Sequence, residues 1–167
     1  MRILLTVSIL CAIASCTGQQ VSERQRPCDP LSSDEFLDHP FPVDLSMDSV
    51  RSYYGDRLRL TRFLRDVGGD NRQKDTIYRF HRGDNSLVFY VTRHGEASFL
   101  TAKVGDPSVV LRGCLRVGLS RVRVEELITD FPSDFRDTVS LSNEKRQARF
   151  VFDEQKLDAI YINNYFR

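Results

Sequence analysis

The sequence predicts an α+β fold of two tandem units, each a short helix plus a three- or four-strand antiparallel meander, with the helices packed on one face of the sheet. Three observations predict it. Phe41–Tyr54 and Leu115–Ile128 share a spacing, with Val43, Leu45, Ser46 and Val50 in one matched by Val117, Leu119, Ser120 and Val124 in the other. Lys74-Asp75-Thr76-Ile77 is answered by Arg136-Asp137-Thr138-Val139. Each copy is followed by short runs rich in β-branched and aromatic residues with turn formers between them, the pattern of hairpin-linked strands. On this reading the chain divides into a processing segment over 1–15, a flexible tether over 16–40, a first unit over 41–111 and a second over 112–167.

The bulk numbers fit such a domain. Of 167 residues, 41% are hydrophobic and 28% charged, a mixture suited to one ordinary core or two very small ones. The chain has 24 basic and 23 acidic residues, and Arg2 falls in the segment expected to be removed, so the remainder balances. A balanced chain offers nothing for polyanions to select, and no nucleic-acid partner is expected.

Met1-Arg2 supplies a positive charge, and Ile3 to Ala14 is an apolar run too short to span a bilayer. This is the form of an export signal. Ile13-Ala14-Ser15-Cys16 then resembles the lipobox of bacterial lipoproteins, in which an aliphatic residue and two small ones precede the cysteine that becomes the acylated mature N-terminus. The resemblance implies lipidation at Cys16, palmitate included, and a membrane as partner through that lipid. Two acyl chains suffice to hold a protein there, each buried CH₂ adding about 0.8 kcal/mol. Thr17 rather than Asp follows the cysteine, which by the same resemblance implies an outer-membrane position in the cell envelope, facing periplasm or surface. The competing reading is an ordinary signal peptide cleaved near Ala14 or Gly18.

Thr17 to Pro30 is polar, without apolar period, and reads as a spacer. Ser32-Ser-Asp-Glu-Phe-Leu37 has the form of a capped helical turn, ended by His39-Pro40-Phe41-Pro42. With Cys11 in the signal and Cys16 taken by lipid, Cys28 and Cys114 remain. Outside the cytoplasm such a pair is expected to be a disulfide; the alternative is a buried Cys114 thiol and an exposed Cys28.

In the first unit Ser46 is placed to cap a helix whose Val50, Tyr53 and Tyr54 share a face. Strands are expected at Thr76–Phe80, Ser86–Thr92 and Ala97–Val104. Between helix and strands, in the insert over Asp56–Gln73, Leu60, Phe63, Leu64 and Val67 follow a helical period ended by Gly68-Gly69, so a helix is favoured there, although Leu58 and Leu60 alternate like a strand. In the second unit Ser120 takes the cap, with Val124, Leu127 and Ile128 on the matching face. Strands follow at Thr138–Leu141, Ala148–Phe152 and Leu157–Ile162.

The Gly-Leu-Ser-x-x-x-Val-x-x-Leu-Ile pattern of residues 118–128 and the Phe-x-Phe-Asp-x-x-x-Leu-x-x-Ile pattern of residues 150–160, in an exported chain, resemble two related groups. One is the β-lactamase-inhibitor protein family, and the other is the small outer-membrane assembly lipoproteins, which hold a single copy of the unit. The first copy departs from the pattern by carrying Asp44 in place of the glycine. Both groups bind other proteins, so the resemblance implies a concave sheet and a protein partner. Neither brings a catalytic residue.

No stretch names a reaction. The sequence lacks His-Glu-x-x-His, Gly-x-Ser-x-Gly and a phosphate loop. His81 and His94 would stand roughly 20 Å apart along a hairpin at about 3.3 Å per residue, which disfavours a shared metal. Adjacent acids such as Glu125-Glu126 and Asp153-Glu154 are expected to face water. The expectation is therefore no enzyme, no metal and no cofactor. Short helices cover only one sheet face, which leaves aromatics on the other. Tyr78, Phe80 and Tyr90, with Arg82 and Asp84 at a hairpin tip, are the candidate protein-binding residues, and another envelope or secreted protein is the candidate partner. The competing functions are an inhibitor of a secreted enzyme, reaching out with Arg82–Ser86 or the 56–73 insert, and a small-ligand binder or hydrolase without a sequence motif.

Overall fold

The computed structural model describes residues 28–65, 75–134 and 136–165. The expected signal segment, Cys16 and the expected tether up to residue 27 lie outside the described residues. Three short helices begin on serine caps. Ser32 opens α1 (Ser33–Asp38) with a full capping box, its hydroxyl accepting from the Glu35 N–H while the Glu35 carboxylate accepts from the Ser32 N–H. Ser46 opens α2 (Met47–Tyr54), and Ser120 opens α3 (Arg121–Leu127). Each cap satisfies a backbone N–H that the first turn leaves free.

The strands are β1 (Arg59–Arg65), β2 (Asp75–Arg82), β3 (Asn85–Val91), β4 (Ala97–Val104), β5 (Thr138–Ser142), β6 (Arg146–Asp153) and β7 (Lys156–Asn164). Each of the six strands expected from the pattern is found within a few residues of its predicted ends. All seven join in one antiparallel sheet, in the order β1-β2-β3-β4-β7-β6-β5. Two tight turns shape it. At the β2–β3 turn Gly83 has a positive φ of 53°, which a glycine adopts freely. At the β6–β7 turn Glu154 and Gln155 both have positive φ without a glycine. That strained turn is held from outside, because the Arg121 N–H donates to the Gln155 carbonyl at 2.8 Å and the Leu157 N–H to the Leu119 carbonyl at 2.8 Å.

Period-2 alternation then sorts the faces. The rung Phe80, Leu87, Ala102, Ile162, Ala148 and Leu141 crosses six strands in register, and every member is buried. Phe36 and Leu37 of α1, Val50 and Tyr54 of α2, and Val124 and Leu127 of α3 join the same core, with Phe41, Val109, Leu111 and Leu115 from the loops. Aromatic edges fit into faces throughout it, as at Phe89 against Phe99 (5.6 Å) and Phe131 against Phe150 (5.2 Å). Burial pushes the Tyr54 hydroxyl well above its ordinary pKa, and that hydroxyl donates to the Val110 carbonyl at 3.3 Å.

The expected architecture of two tandem helix-and-meander units is therefore corrected. Among the described residues the strands form a single seven-stranded sheet with only three short α-helices. The pairing of β4 with β7 is the reason, since it fuses both strand groups into one layer over one core cluster. The helix favoured in the insert is corrected too. Residues 59–65 are strand β1, paired along its whole length with β2. Leu60, Phe63 and Leu64 satisfy a helical period, but a strand satisfies the backbone of a short segment by borrowing a neighbour's ladder.

The tether expected over 16–40 is shortened from its far end. Residues 28–40 are built into the fold, with Leu31 bridging Ile128 in parallel and α1 lying against β5 and β6. A disulfide joins Cys28 to Cys114. Between Arg112 and Leu115 the chain turns through positive φ at Gly113 (68°) and Cys114 (61°). A Cβ at Gly113 would come within 3.0 Å of Leu31, so glycine lets the N-terminal segment close onto this turn.

Candidate functional site

The rungs adjoining the core rung point the other way. One runs Thr61, Arg79, Val88, Thr101, Asn163, Gln147 and Ser142; the next runs Arg59, His81, Ser86, Lys103, Tyr161, Arg149 and Ser140. Phe63, Ile77 and Tyr90 continue this face at the end of β1 to β3. Nearly every member is exposed or half-buried, unlike its counterpart one position along the strand. Among the described residues the sheet thus has one face filled and one bare.

The bare face is both apolar and cationic. Phe63, Ile77, Val88, Tyr90 and Tyr161 supply hydrocarbon, and Arg59, Arg79, Lys103 and Arg149 supply charge, while the two rungs contain no acid. Several side chains are held in place. The Arg149 guanidinium lies 4.7 Å from the centre of the Tyr161 ring, stiffening both. Thr61 Oγ1 is bonded to His81 Nε2 at 2.8 Å, and Thr101 Oγ1 donates to Asn163 Oδ1 at 2.6 Å. Tyr90 donates to the buried Asp75 carboxylate, which also accepts from the Arg93 N–H at 2.8 Å. A ring anchored at its polar tip presents its flank without losing rotamer freedom on binding.

The structure scatters the five residues singled out in the sequence. Phe80 is 3% exposed in the core rung, and Tyr78 is half-buried against the same core. Tyr90 alone stands on the bare face. Arg82 and Asp84 are exposed at the β2–β3 tip, where Asp84 reaches Lys103 at 3.5 Å. The misplacement has one cause. Tyr78 and Phe80 share a face of β2, but Phe89 and Tyr90 are adjacent on β3 and so point oppositely, and aromatic content alone does not fix phase. Val88 and Arg149 were overlooked. Pairing buried Leu87 with Phe80 would have assigned both faces.

Among the described residues no group of three His, Cys, Asp or Glu side chains is arranged to hold a metal. No described helix is long and apolar enough to cross a membrane. The histidines are engaged or peripheral, His94 accepting from Arg93 Nε at 3.2 Å. No family model matches the chain, and no curated protein and no solved structure does either.

Proposed function

We propose that the chain is a lipid-anchored protein of the bacterial cell envelope that binds an acidic surface of another envelope or secreted protein, without catalysis, through the bare face of its sheet. The observation that carries the reading is the composition of that face: anchored aromatic and aliphatic side chains among four cations, with no acid in the two central rungs. Such a mixture suits a protein contact, in which aromatics and arginines carry most of the energy and like-charged partners are rejected. The anchor rests on the export signal and on Cys16 within Ile13-Ala14-Ser15-Cys16.

A photoreactive residue at Val88 or Arg149 tests the surface in intact cells of the native host. Discrete cross-linked protein is expected from both positions and not from exposed Val122 on α3. Arg79→Glu combined with Arg149→Glu should cut the yield roughly tenfold, as reversing two contact charges does. Equal products from Val122 would remove the bare face from consideration. Mass spectrometry of the mature N-terminus tests the anchor independently, and an unmodified thiol at Cys16 would end that part of the reading.

A further inference from the structure

The two edges of the sheet are unlike each other. At one end β5 (Thr138–Ser142) is short and uncharged, and its inward Val139 and Leu141 are covered, with α1 lying against it. At the other end lies β1 (Arg59–Arg65), whose Arg59, Leu60, Arg62, Phe63 and Leu64 are exposed. Leu60 and Leu64 point to the core side of the sheet yet are 42% and 60% exposed, whereas Phe80, paired with Leu60 across the strands, is 3% exposed. Phe63, on the bare side, is 49% exposed. Among the described residues the backbone of β1 bonds only to β2. No described residue pairs with its outer row of N–H and C=O groups.

A long edge with apolar residues on both faces is a template for another strand. The charges select which one. A second copy pairing antiparallel over all seven residues would set Arg62 opposite Arg62 and Arg59 opposite Arg65, and like charges directly opposite destabilise a pair. An acidic strand meets no such opposition. Cross-strand matching then specifies its pattern: acids opposite Arg59 and Arg62, apolar residues opposite Leu60, Phe63 and Leu64.

We infer that the β1 edge binds an extended acidic-apolar segment of another protein as an eighth strand, with two acidic residues three apart and hydrophobic residues at the positions facing Leu60, Phe63 and Leu64. The inference rests on the reading of the chain as a protein binder and adds the conformation and sequence character of the bound segment. It uses the edge of the sheet, whereas the cross-links described above report on its bare face.

The probe is a blocked peptide, Val-Val-Glu-Thr-Val-Glu, which meets β1 antiparallel with both glutamates opposite arginines. The control peptide has lysines in place of the glutamates. Titration into the full purified protein at low salt, followed by amide hydrogen exchange, should show binding of the acidic peptide only. Amides of β1 should slow about tenfold or more at saturation while those of β5 keep their rate. Arg59→Glu with Arg62→Glu, both exposed positions, should lose the acidic peptide and gain the lysine peptide. Arg79→Glu with Arg149→Glu should leave the slowing of β1 amides intact, which separates this result from the fate of the bare-face reading. Absence of binding, binding without protection of β1, an unchanged preference in the Arg59→Glu/Arg62→Glu variant, or a peptide-free dimer that protects β1 would each overturn the inference.

Discussion

Arg121 illustrates how a single charge organises a loop. It is 3% exposed, with its guanidinium 4.0 Å from the centre of the Phe152 ring. Its Nη1 donates to the Asp134 carbonyl at 2.9 Å and its Nη2 to the Arg136 carbonyl. One side chain thus fastens the segment after α3 to the β6–β7 end of the sheet. The attachment is incomplete, since among the described residues Arg121 Nε and Asp134 Oδ1 are buried without a hydrogen-bond partner. Removing the group still costs more than it relieves, because two partly buried carbonyls lose their donor and the stem leaves a void. Arg121→Ala should lower unfolding free energy by about 3 kcal/mol, read as a shift in denaturant midpoint at unchanged slope. None of this was legible in the sequence. Arg121 sits among Arg123, Glu125 and Glu126 in a run that reads as solvated, and only the loop folding back over it makes it a core residue.

At the scale of elements, α1 is seated in the core by Phe36 and Leu37 and tied at its ends by carboxylates. Asp130 accepts from the Ser33 N–H and Oγ, both at 2.6 Å, and the Ser33 side chain leads in holding its pKa below the ordinary range. The Ser32 N–H does the same for Glu35, and the Lys145 ammonium, 3.1 Å away, does it for Asp38. Arg146 donates to the Leu37 and Asp38 carbonyls at 2.7 and 2.6 Å, closing the C-terminal end. A carboxyl whose folded pKa is lowered stabilises fully above its unfolded value and loses that contribution as pH falls through the folded one. The helix should therefore loosen below about pH 4, the ordinary carboxylate range, while the sheet persists. Faster amide exchange for Phe36–Asp38 than for β6 at about pH 3, but not at about pH 6, would show it. The Ser-x-x-Glu cap of α1 and the six alternating strands were legible, since caps and period-2 patterns are local. Strand β1 was not, because its identity depends on β2 lying beside it.

The whole molecule depends on two long-range closures. The pairing of β4 with β7 makes one sheet, and residues 56 or more positions apart meet across it, as Val104 meets Ile160. The Cys28–Cys114 bond closes a separation of 86 residues. Repetition in a sequence reports local similarity and is silent on which edges meet, so the expectation of two units failed at that junction. The cysteine pair was legible by count, taken with the export expected from the leading segment. Crosslinking so long a loop restricts the unfolded chain, and Cys28→Ser with Cys114→Ser should cost about 3 kcal/mol, or roughly 10 °C in Tm. A thermal melt of the reduced and oxidised wild-type protein, with the double variant alongside, checks it.

The same bond decides how the molecule carries a mechanical load. Any pull on the chain ahead of residue 28 passes through sulfur into residue 114, and the peptide between those two points is spared the tension. A rope made fast at the middle of a hull, rather than at a plank's end, tugs on the vessel without prising it open.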